Sequence, residues 1–331
     1  MNIISLFSGC GGLDLGFIKS GFDLVFANDN DKDVWETFEK NHNFKIDKRP
    51  VEEIPSEEMP DNVHGILGGP PCQSWSLAGA MRGIKDNRGK LFYEYIRILK
   101  DKKPYFFVAE NVPGILSKTH FPEFEKILHE LEYLGEVEKQ YEITYKLVNA
   151  KNYGVPQERK RVIIVGYRAD INKKFEFPKE SQHIMTLKEA IGDLPESSPA
   201  LNKKDAVNNT KIPNHEHMIG SFSSMYMSRN RKKEWNEPSF TIQAGGRHAP
   251  LHPKSKKMTK VHKDLWKFDS TDDTYRRLSV RECARIQTFP DDFVFYYNNV
   301  SKGYKMIGNA VPVKLSETIA KKIKSDLKEC R

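Results

Sequence analysis

Short apolar runs alternate with amphipathic segments through the first half of the chain. Five of the runs have the length of strands, at residues 3–7, 24–27, 65–67, 105–109 and 162–165. Between them, apolar side chains recur at helical spacing, at Phe92, Tyr95, Ile96, Leu99, Phe124, Ile127, Leu128 and Leu131. Strands that alternate with helices are typical of a parallel sheet joined by crossover helices. This half therefore predicts an α/β domain with a doubly wound, mostly parallel sheet.

The periodic pattern ends near residue 177. From there to about residue 275 the chain is rich in Pro, Asn, Ser and Lys, which predicts a region of loops and short strands. Helical character returns at residues 277–287. The tail then places apolar residues at four-residue steps, at Leu315, Ile319, Ile323 and Leu327. An amphipathic tail helix needs an apolar surface to cover, and we expect it to lie on the first sheet.

The chain is long enough for two domains, since it has 331 residues against a typical ~150 per domain. We place a first domain at 1–180, completed by residues 301–331, and a smaller second domain with a hinge at 181–300. Lys and Arg number 53 against 45 Asp and Glu, a formal net charge of +8. Such an excess favours a polyanionic partner if it is clustered, and otherwise indicates a solvated basic surface.

The four cysteines lie far apart in the sequence, at Cys10, Cys72, Cys283 and Cys330. No CxxC pair and no His at zinc-ligand spacing accompanies them, so we expect neither a disulfide scaffold nor a bound metal. We interpret His215-Glu216-His217 as a solvated loop. The amino terminus lacks a secretory signal pattern, and no stretch approaches the ~18 apolar residues of a membrane helix. These features predict a reduced, cytoplasmic protein.

A glycine-rich turn, Phe7-Ser8-Gly9-Cys10-Gly11-Gly12, follows the first predicted strand and precedes a helix-compatible segment. Glycines permit a sharp turn and let a ligand approach the backbone, where the start of a helix offers free N–H groups. Asp29, after the second strand, can accept hydrogen bonds from ribose hydroxyls. Because the spacing is not the dinucleotide GxGxxG, it favours an adenosyl cofactor without pyrophosphate over a nicotinamide cofactor. The alternative is a tight turn beside a surface acid.

Reactive and charged side chains adjoin successive predicted strands. Cys72 follows Pro70-Pro71 after the third strand, and the two prolines fix the loop in an extended form. Glu110 ends the fourth strand, while Arg159 and Arg161 precede the fifth. Ligands of open α/β sheets bind at the carboxyl ends of the strands. We therefore expect the thiol, the carboxylate and the guanidinium groups to share one cleft.

These segments resemble, in order, the motifs of the bacterial cytosine-5 DNA methyltransferases. Residues 275–287 and 308–312 extend the likeness, which covers nearly the whole chain. The resemblance implies an S-adenosylmethionine-dependent methyltransferase fold, with catalysis and cofactor binding in the first domain and target recognition in the second. It also implies double-stranded DNA as the partner, and S-adenosylmethionine as the methyl donor that becomes S-adenosylhomocysteine.

The same resemblance implies a role for each clustered side chain. Cys72 would add to carbon 6 of cytosine, which makes carbon 5 nucleophilic toward the methyl donor. Glu110 would protonate or hydrogen-bond ring nitrogen 3, while Arg159 and Arg161 hold the base oxygen and orient the acid. Since the target atoms lie inside a duplex, the base must be flipped out of the stack. The implied cofactor-binding residues are Phe7, Gly9, Gly11, Gly12, Asp29, Asn30, Pro71, Leu91, Asn309 and Val311.

Two positions depart from the family pattern near the cofactor. Asn30 stands where many members have an aromatic residue, so one face of adenine loses a stacking partner. The acid that the next motif usually carries is replaced within Lys48-Arg49-Pro50-Val51. We therefore expect weakened binding of the cofactor.

Arginines of the second domain are concentrated in residues 228–233 and 244–248. Arginine can bond both major-groove acceptors of guanine at once, so Arg229, Arg231 and Arg247 are predicted to read bases. The neighbouring lysines, Lys232 among them, are predicted to contact phosphates. The alternative is that all of these side chains bind phosphate without reading sequence.

The second domain also resembles the recognition domain of methyltransferases specific for GGCC, at residues 219–231, 235–238 and 251–253. That likeness implies methylation of the inner cytosine of GGCC within a restriction-modification system, paired with an endonuclease. Two alternatives remain, a tRNA cytosine-5 methyltransferase and a non-catalytic DNA-binding protein that retains the fold. A palindromic site can be modified one strand at a time, so we expect a monomer.

Overall fold

A six-stranded sheet forms the centre of the structure, a computed structural model that describes residues 1–70, 90–196, 198–206, 210–269 and 275–329. Its strands are β1 (Asn2–Leu6), β2 (Asp23–Asn28), β3 (Gly65–Gly68), β4 (Phe106–Asn111), β5 (Tyr141–Asn149) and β6 (Lys160–Arg168). The strand order is β2-β1-β3-β4-β6-β5. Strands β1 to β4 are parallel, and β6 is antiparallel to both β4 and β5. The predicted α/β fold with a mostly parallel sheet is confirmed.

Helices cover both faces of this sheet. The helices are α1 (Gly12–Lys19), α2 (Trp35–His42), α3 (Lys90–Lys102), α4 (Phe121–Tyr133), α5 (Leu187–Ile191), α6 (Val280–Ile286), α7 (Val300–Asn309) and α8 (Val313–Lys328). On one face α3 and α4 bury their apolar stripes, which confirms the helical spacing of residues such as Phe92, Leu99 and Ile127. On the other face α1 and α8 pack together and form a second apolar layer.

The tail helix α8 lies on the first sheet, as its apolar spacing predicts. Its stripe residues Leu315, Ile319 and Ile323 are buried in the same cluster as Phe17 of α1. The two helices approach closely at Gly16, where an added Cβ would lie 2.4 Å from the Cβ of Ser316. The amino-terminal turn and the carboxyl-terminal helix therefore form one packed unit.

Strand β5 was missed by the sequence analysis. It lies at the edge of the sheet, and β6 is its only partner strand within the part of the chain that the structure describes. Its middle residues are exposed, with Tyr145 at 39% and Leu147 at 40%, and the charged Glu142 and Lys146 interrupt its apolar residues. Apolar and polar residues alternate along it, which is the period-two pattern of a half-buried strand, but a search for continuous apolar runs does not detect that pattern.

Short elements fill the second region of the chain, as predicted. Besides α5 and α6 it contains β7 (Ala200–Leu201), β8 (His217–Met218), β9 (Met258–His262) and β10 (Leu265–Phe268). Its main apolar cluster includes Leu278 and Phe289, together with Tyr304 of α7 and with Cys10 and Val34 from the amino-terminal part of the chain. The apolar cluster therefore joins this region to the glycine-rich turn.

The interpretation of His215-Glu216-His217 as a solvated loop is wrong, because all three side chains are buried. The Nδ1 atom of His215 lies 2.9 Å from the Ser279 hydroxyl, and the Tyr297 hydroxyl donates to Glu216. Buried polar groups are stable when they have hydrogen-bond partners. Here the partners lie 64 and 81 residues further along the chain, so a local sequence pattern does not reveal them.

Within the described ranges, no helix is long and apolar enough to span a membrane. Cys10 and Cys283 are buried free thiols, and the other two cysteines lie outside those ranges. The same part of the chain contains no group of three His, Cys, Asp or Glu side chains arranged to hold a metal ion.

Candidate active site

A cavity of about 590 Å³ opens at the carboxyl ends of the parallel strands, a volume in the ~300–1,000 Å³ range of small-molecule sites. Eight of the predicted cofactor residues line it: Phe7, Gly9, Gly12, Asp29, Asn30, Leu91, Asn309 and Val311. Gly11 does not line the cavity, and Pro71 lies outside the described residues, as does Cys72. The cavity wall is thus built from the glycine-rich turn, the end of β2 and the segment between α7 and α8.

The glycine-rich turn depends on its glycines for two different reasons. Gly9 and Gly11 have φ angles of 57° and 86°, in the left-handed region that other residues rarely adopt. An added Cβ on Gly11 would lie 1.9 Å from His42 Nε2, so this glycine permits packing against α2. An added Cβ on Gly12 would lie 2.4 Å from the carbonyl oxygen of Val311. Gly12 therefore allows the wall before α8 to close onto the turn.

Asp29 fixes the turn against the end of β2. Its carboxylate accepts hydrogen bonds from the backbone N–H groups of Gly9 and Asp31, each at 2.8 Å. Burial raises the pKa of Asp29. A carboxylate has about four lone-pair directions, so two remain available for the hydroxyls of a ribose.

The two departures from the family pattern fall in or beside the cavity wall. Asn30 lines the cavity, and the Trp35 indole donates to the neighbouring carbonyl of Asp29 at 2.7 Å. A further acid, Glu52, was not predicted from the sequence and lines the cavity two residues after Pro50. A carboxylate there can accept a hydrogen bond from an exocyclic amino group. No sequence signal marked Glu52, because it is one of several acids in a local run.

The carboxylate and one guanidinium predicted for catalysis meet at the edge of the cavity. Arg161 Nε donates to Glu110 Oε1 at 2.7 Å, and both side chains are largely buried. Burial lowers the pKa of Arg161, and the negative charge of Glu110 opposes that effect. The backbone of the loop toward Cys72 runs close by, since an added Cβ on Gly69 would lie 3.7 Å from Glu110 Oε2.

Arg159 has different surroundings from Arg161. It is fully buried, and its guanidinium donates to the carbonyl oxygens of Ile242 at 2.9 Å, Gly308 at 2.7 Å and Ala310 at 3.0 Å. Burial lowers its pKa well below the usual value. The structure thus places Arg159 between the central sheet, the second region and the cavity wall at residues 308–311.

Four arginines of the second region lie together. Burial lowers the pKa of His248, and the positive charges of Arg231, Arg247, Arg229 and Arg277 lower it further. Arg229 and Arg247 are exposed, whereas Arg231 and Arg277 are buried. The three predicted base readers are therefore neighbours in space, although only two of them present their side chains to solvent.

Arg231 and Arg277 support the local backbone. Arg231 donates to the carbonyl oxygens of Tyr226 at 2.8 Å and Met225 at 2.9 Å. Arg277, which the sequence analysis did not assign to DNA, stacks over the Phe222 ring at 4.0 Å and donates to nearby carbonyls. Lys232 is also engaged, since its ammonium group lies 3.0 Å from Glu234 and its side chain is only 9% exposed.

Comparisons with known proteins agree on one family. Residues 1–325 match the family described as C-5 cytosine-specific DNA methylase. The Type II methyltransferase M.MthTI of Methanothermobacter thermautotrophicus is 61% identical, over 99% of this chain and 98% of its own. The Type II methyltransferase M.FnuDI of Fusobacterium nucleatum is 52% identical, over 99% and 95%. A prophage-encoded protein of Escherichia coli has a crystal structure with a TM-score of 0.73, 25% identity and 99% coverage of both chains.

The sheet, the glycine-rich turn and the cavity define an S-adenosylmethionine-dependent methyltransferase fold, whose members in this family use that methyl donor. The chain belongs to the C-5 cytosine-specific DNA methylases, and it is a DNA cytosine-5 methyltransferase.

Proposed function

We propose that the chain transfers a methyl group from S-adenosylmethionine to carbon 5 of cytosine in duplex DNA, through a covalent adduct of Cys72 with a flipped-out base. The pair formed by Glu110 and Arg161 carries the proposal, because it lies at the cavity beside the loop that leads to Cys72. A carboxyl group at this position can meet the ring nitrogen on which charge develops.

Each side chain of the pair has its own task. Addition of the Cys72 thiolate to carbon 6 moves electron density onto ring nitrogen 3, where Glu110 supplies a proton or a hydrogen bond. Arg161 holds the carboxyl group through Nε, and one further N–H donates to the carbonyl of Lys160 at 2.7 Å. Its remaining N–H groups can donate to the oxygen of the base. Arg159 contributes by fixing the cavity wall.

The residues of the cavity fit S-adenosylmethionine, which supplies an electrophilic methyl group when bound. Among the described residues, Lys305 is the single basic residue that lines the wall. Five acids line it, and they are Asp14, Asp29, Asp31, Glu52 and Glu110. The cofactor carries a sulfonium and an ammonium group against one carboxylate, so its net charge complements this wall. Asp29 would hold the ribose, and Asn309 and Val311 would close the opposite side.

We further propose that the target is the inner cytosine of GGCC. The likeness of residues 219–231, 235–238 and 251–253 to GGCC-specific recognition domains supports this assignment, as does the cluster around Arg229 and Arg247. We place the enzyme in a restriction-modification system as a monomer paired with an endonuclease. The Type II names of its relatives support the system.

Bisulfite sequencing of DNA from cells that express the chain tests the target. We expect protected cytosines at the inner position of GGCC, and none in cells that express Cys72→Ser, which lacks the nucleophile. Protected cytosines in another context would refute GGCC. Methyl transfer to tRNA in place of duplex DNA would support the RNA-directed alternative.

Replacing Arg247 by alanine tests the reading of guanine by an exposed arginine. The expected result is a loss of roughly 1–3 kcal/mol in discrimination at one base pair of the site. Lys263→Ala is the matched control, because Lys263 is also exposed and lies between β9 and β10. Loss of a contact to phosphate at this position would weaken binding to all sequences alike. Competition binding with singly substituted duplexes measures both effects. A uniform loss in Arg247→Ala would show that Arg247 binds phosphate only.

A further inference from the structure

Asp14 is a buried acid that the proposed mechanism does not use. It lies in the first turn of α1, is 0% exposed and borders the cofactor cavity. Neither of its carboxylate oxygens has a hydrogen-bond partner among the described residues. Burial of a carboxylate without a partner costs free energy. A positive charge that enters the cavity would offset part of that cost.

Among the described residues, no cation forms an ion pair with Asp14. Burial, with a smaller contribution from the charge of Asp29, raises the pKa of Asp14 to about 6, although the nearby Ser5 hydroxyl and the backbone N–H of Asp14 oppose this rise. At pH 7.5 the group is therefore mostly ionised. The cation of the cavity wall, Lys305, is already paired with Asp31 at 2.6 Å and Asp33 at 3.0 Å. Burial raises the pKa of Cys10, so its thiol stays neutral.

We propose that Asp14 is a specificity residue that favours the cationic methyl donor over the spent cofactor. The inference rests on the proposed function, since it assumes that S-adenosylmethionine occupies the cavity. Methyl transfer moves the methyl group from sulfur to the base and leaves a neutral thioether, so the sulfonium charge is the difference between the two ligands. A negative charge buried in the cavity wall acts on that difference over several ångströms, without direct contact.

Isothermal titration with each ligand in turn tests the proposal. In Asp14→Asn, which keeps the size of the side chain, the preference for S-adenosylmethionine over S-adenosylhomocysteine should fall by about tenfold, the effect of one neighbouring charge. The matched control is Asp326→Asn, a buried acid on α8 that is paired with Lys322 at 2.6 Å. This control should lose stability while its preference stays at the wild-type value.

A second measurement on the wild type covers the case in which Asp14→Asn does not fold. The preference for S-adenosylmethionine should fall as the pH drops from 7.5 to 5, because Asp14 gains a proton near pH 6. The other ionisable groups at the cavity are Cys10, Asp29, Asp31, Glu52, Glu110 and Lys305, and burial raises the pKa of Asp29 as well, so the pH dependence is compared with that of the variant. If Asp14→Asn folds, its preference should vary less with pH than that of the wild type.

The possible outcomes separate this inference from the proposed function. Equal losses for both ligands in Asp14→Asn would overturn it, since they would place the ammonium group near Asp14. An unchanged preference in the variant, or a wild-type preference that does not vary with pH, would also overturn it. Failure of the wild type to bind either ligand would instead count against the proposed function.

Discussion

Replacing Glu110 by glutamine is expected to lower the rate of methyl transfer ~10²–10⁴-fold, the range that general acid catalysis contributes. Glutamine keeps the shape of the side chain, and its oxygen can still accept the Arg161 Nε–H bond that measures 2.7 Å in the structure. It has no carboxyl proton to give to ring nitrogen 3. Single-turnover transfer of a labelled methyl group to a GGCC duplex measures the loss.

Glu158→Gln is the control for this substitution. Glu158 lies near the same strand edge, is 40% exposed and pairs with Lys151, so its loss should leave the rate near the wild-type value. Titration of the cofactor into Glu110→Gln should show nearly unchanged affinity, which separates a chemical defect from a folding defect. A rate within ~10-fold of wild type would remove Glu110 as the acid, since the expected range begins near 10².

Replacing Arg159 by methionine is expected to lower the free energy of unfolding by roughly 2–4 kcal/mol, because three buried carbonyl groups lose their donor while one buried charge is removed. Those carbonyls belong to Ile242, Gly308 and Ala310. Asn309 and Val311, which line the cavity beside them, should lose their fixed positions. Cofactor affinity should therefore fall together with stability.

Denaturant unfolding and cofactor titration measure the two effects in Arg159→Met. The exposed neighbour Lys160 supplies the control Lys160→Met, which should change neither quantity. Arg161→Met makes the comparison sharper, since it should lower the transfer rate far more than the cofactor affinity. A slow but stable Arg159→Met enzyme with normal cofactor affinity would show that Arg159 acts on the base instead.

The sequence was sufficient for the elements whose pattern is local. Strands β1 to β4 are continuous apolar runs, and α3 and α8 carry apolar residues at helical spacing. The search for continuous apolar runs failed at β5, where apolar and polar residues alternate and where Tyr145 and Leu147 face solvent. Sequence patterns also failed where polar side chains are buried against distant partners, as for His215 and Ser279.

Some contacts of the candidate site could be predicted from the sequence and others could not. The proximity of Glu110 to Arg161 was predicted from their places beside successive strands, but it also requires β6 to run antiparallel to β4, which the sequence did not indicate. The surroundings of Arg159 and Arg231 could not be predicted, because carbonyl acceptors give no signal in a sequence. For Arg159 those acceptors lie 83 to 151 residues away. The carbonyl acceptors of Arg277 could not be predicted for the same reason. The position of Glu52 in the cavity wall was not predicted either.

The joining of α1 to α8 also bears on how the enzyme is made. The cavity needs the turn at Gly12 and the wall at Val311, which pack against each other although the turn is synthesised long before the wall. A nascent chain on the ribosome thus carries half of its donor pocket long before the other half emerges. An unfinished chain lacks one wall of this pocket, so we expect it to bind the methyl donor only after the segment at Val311 has folded onto the turn.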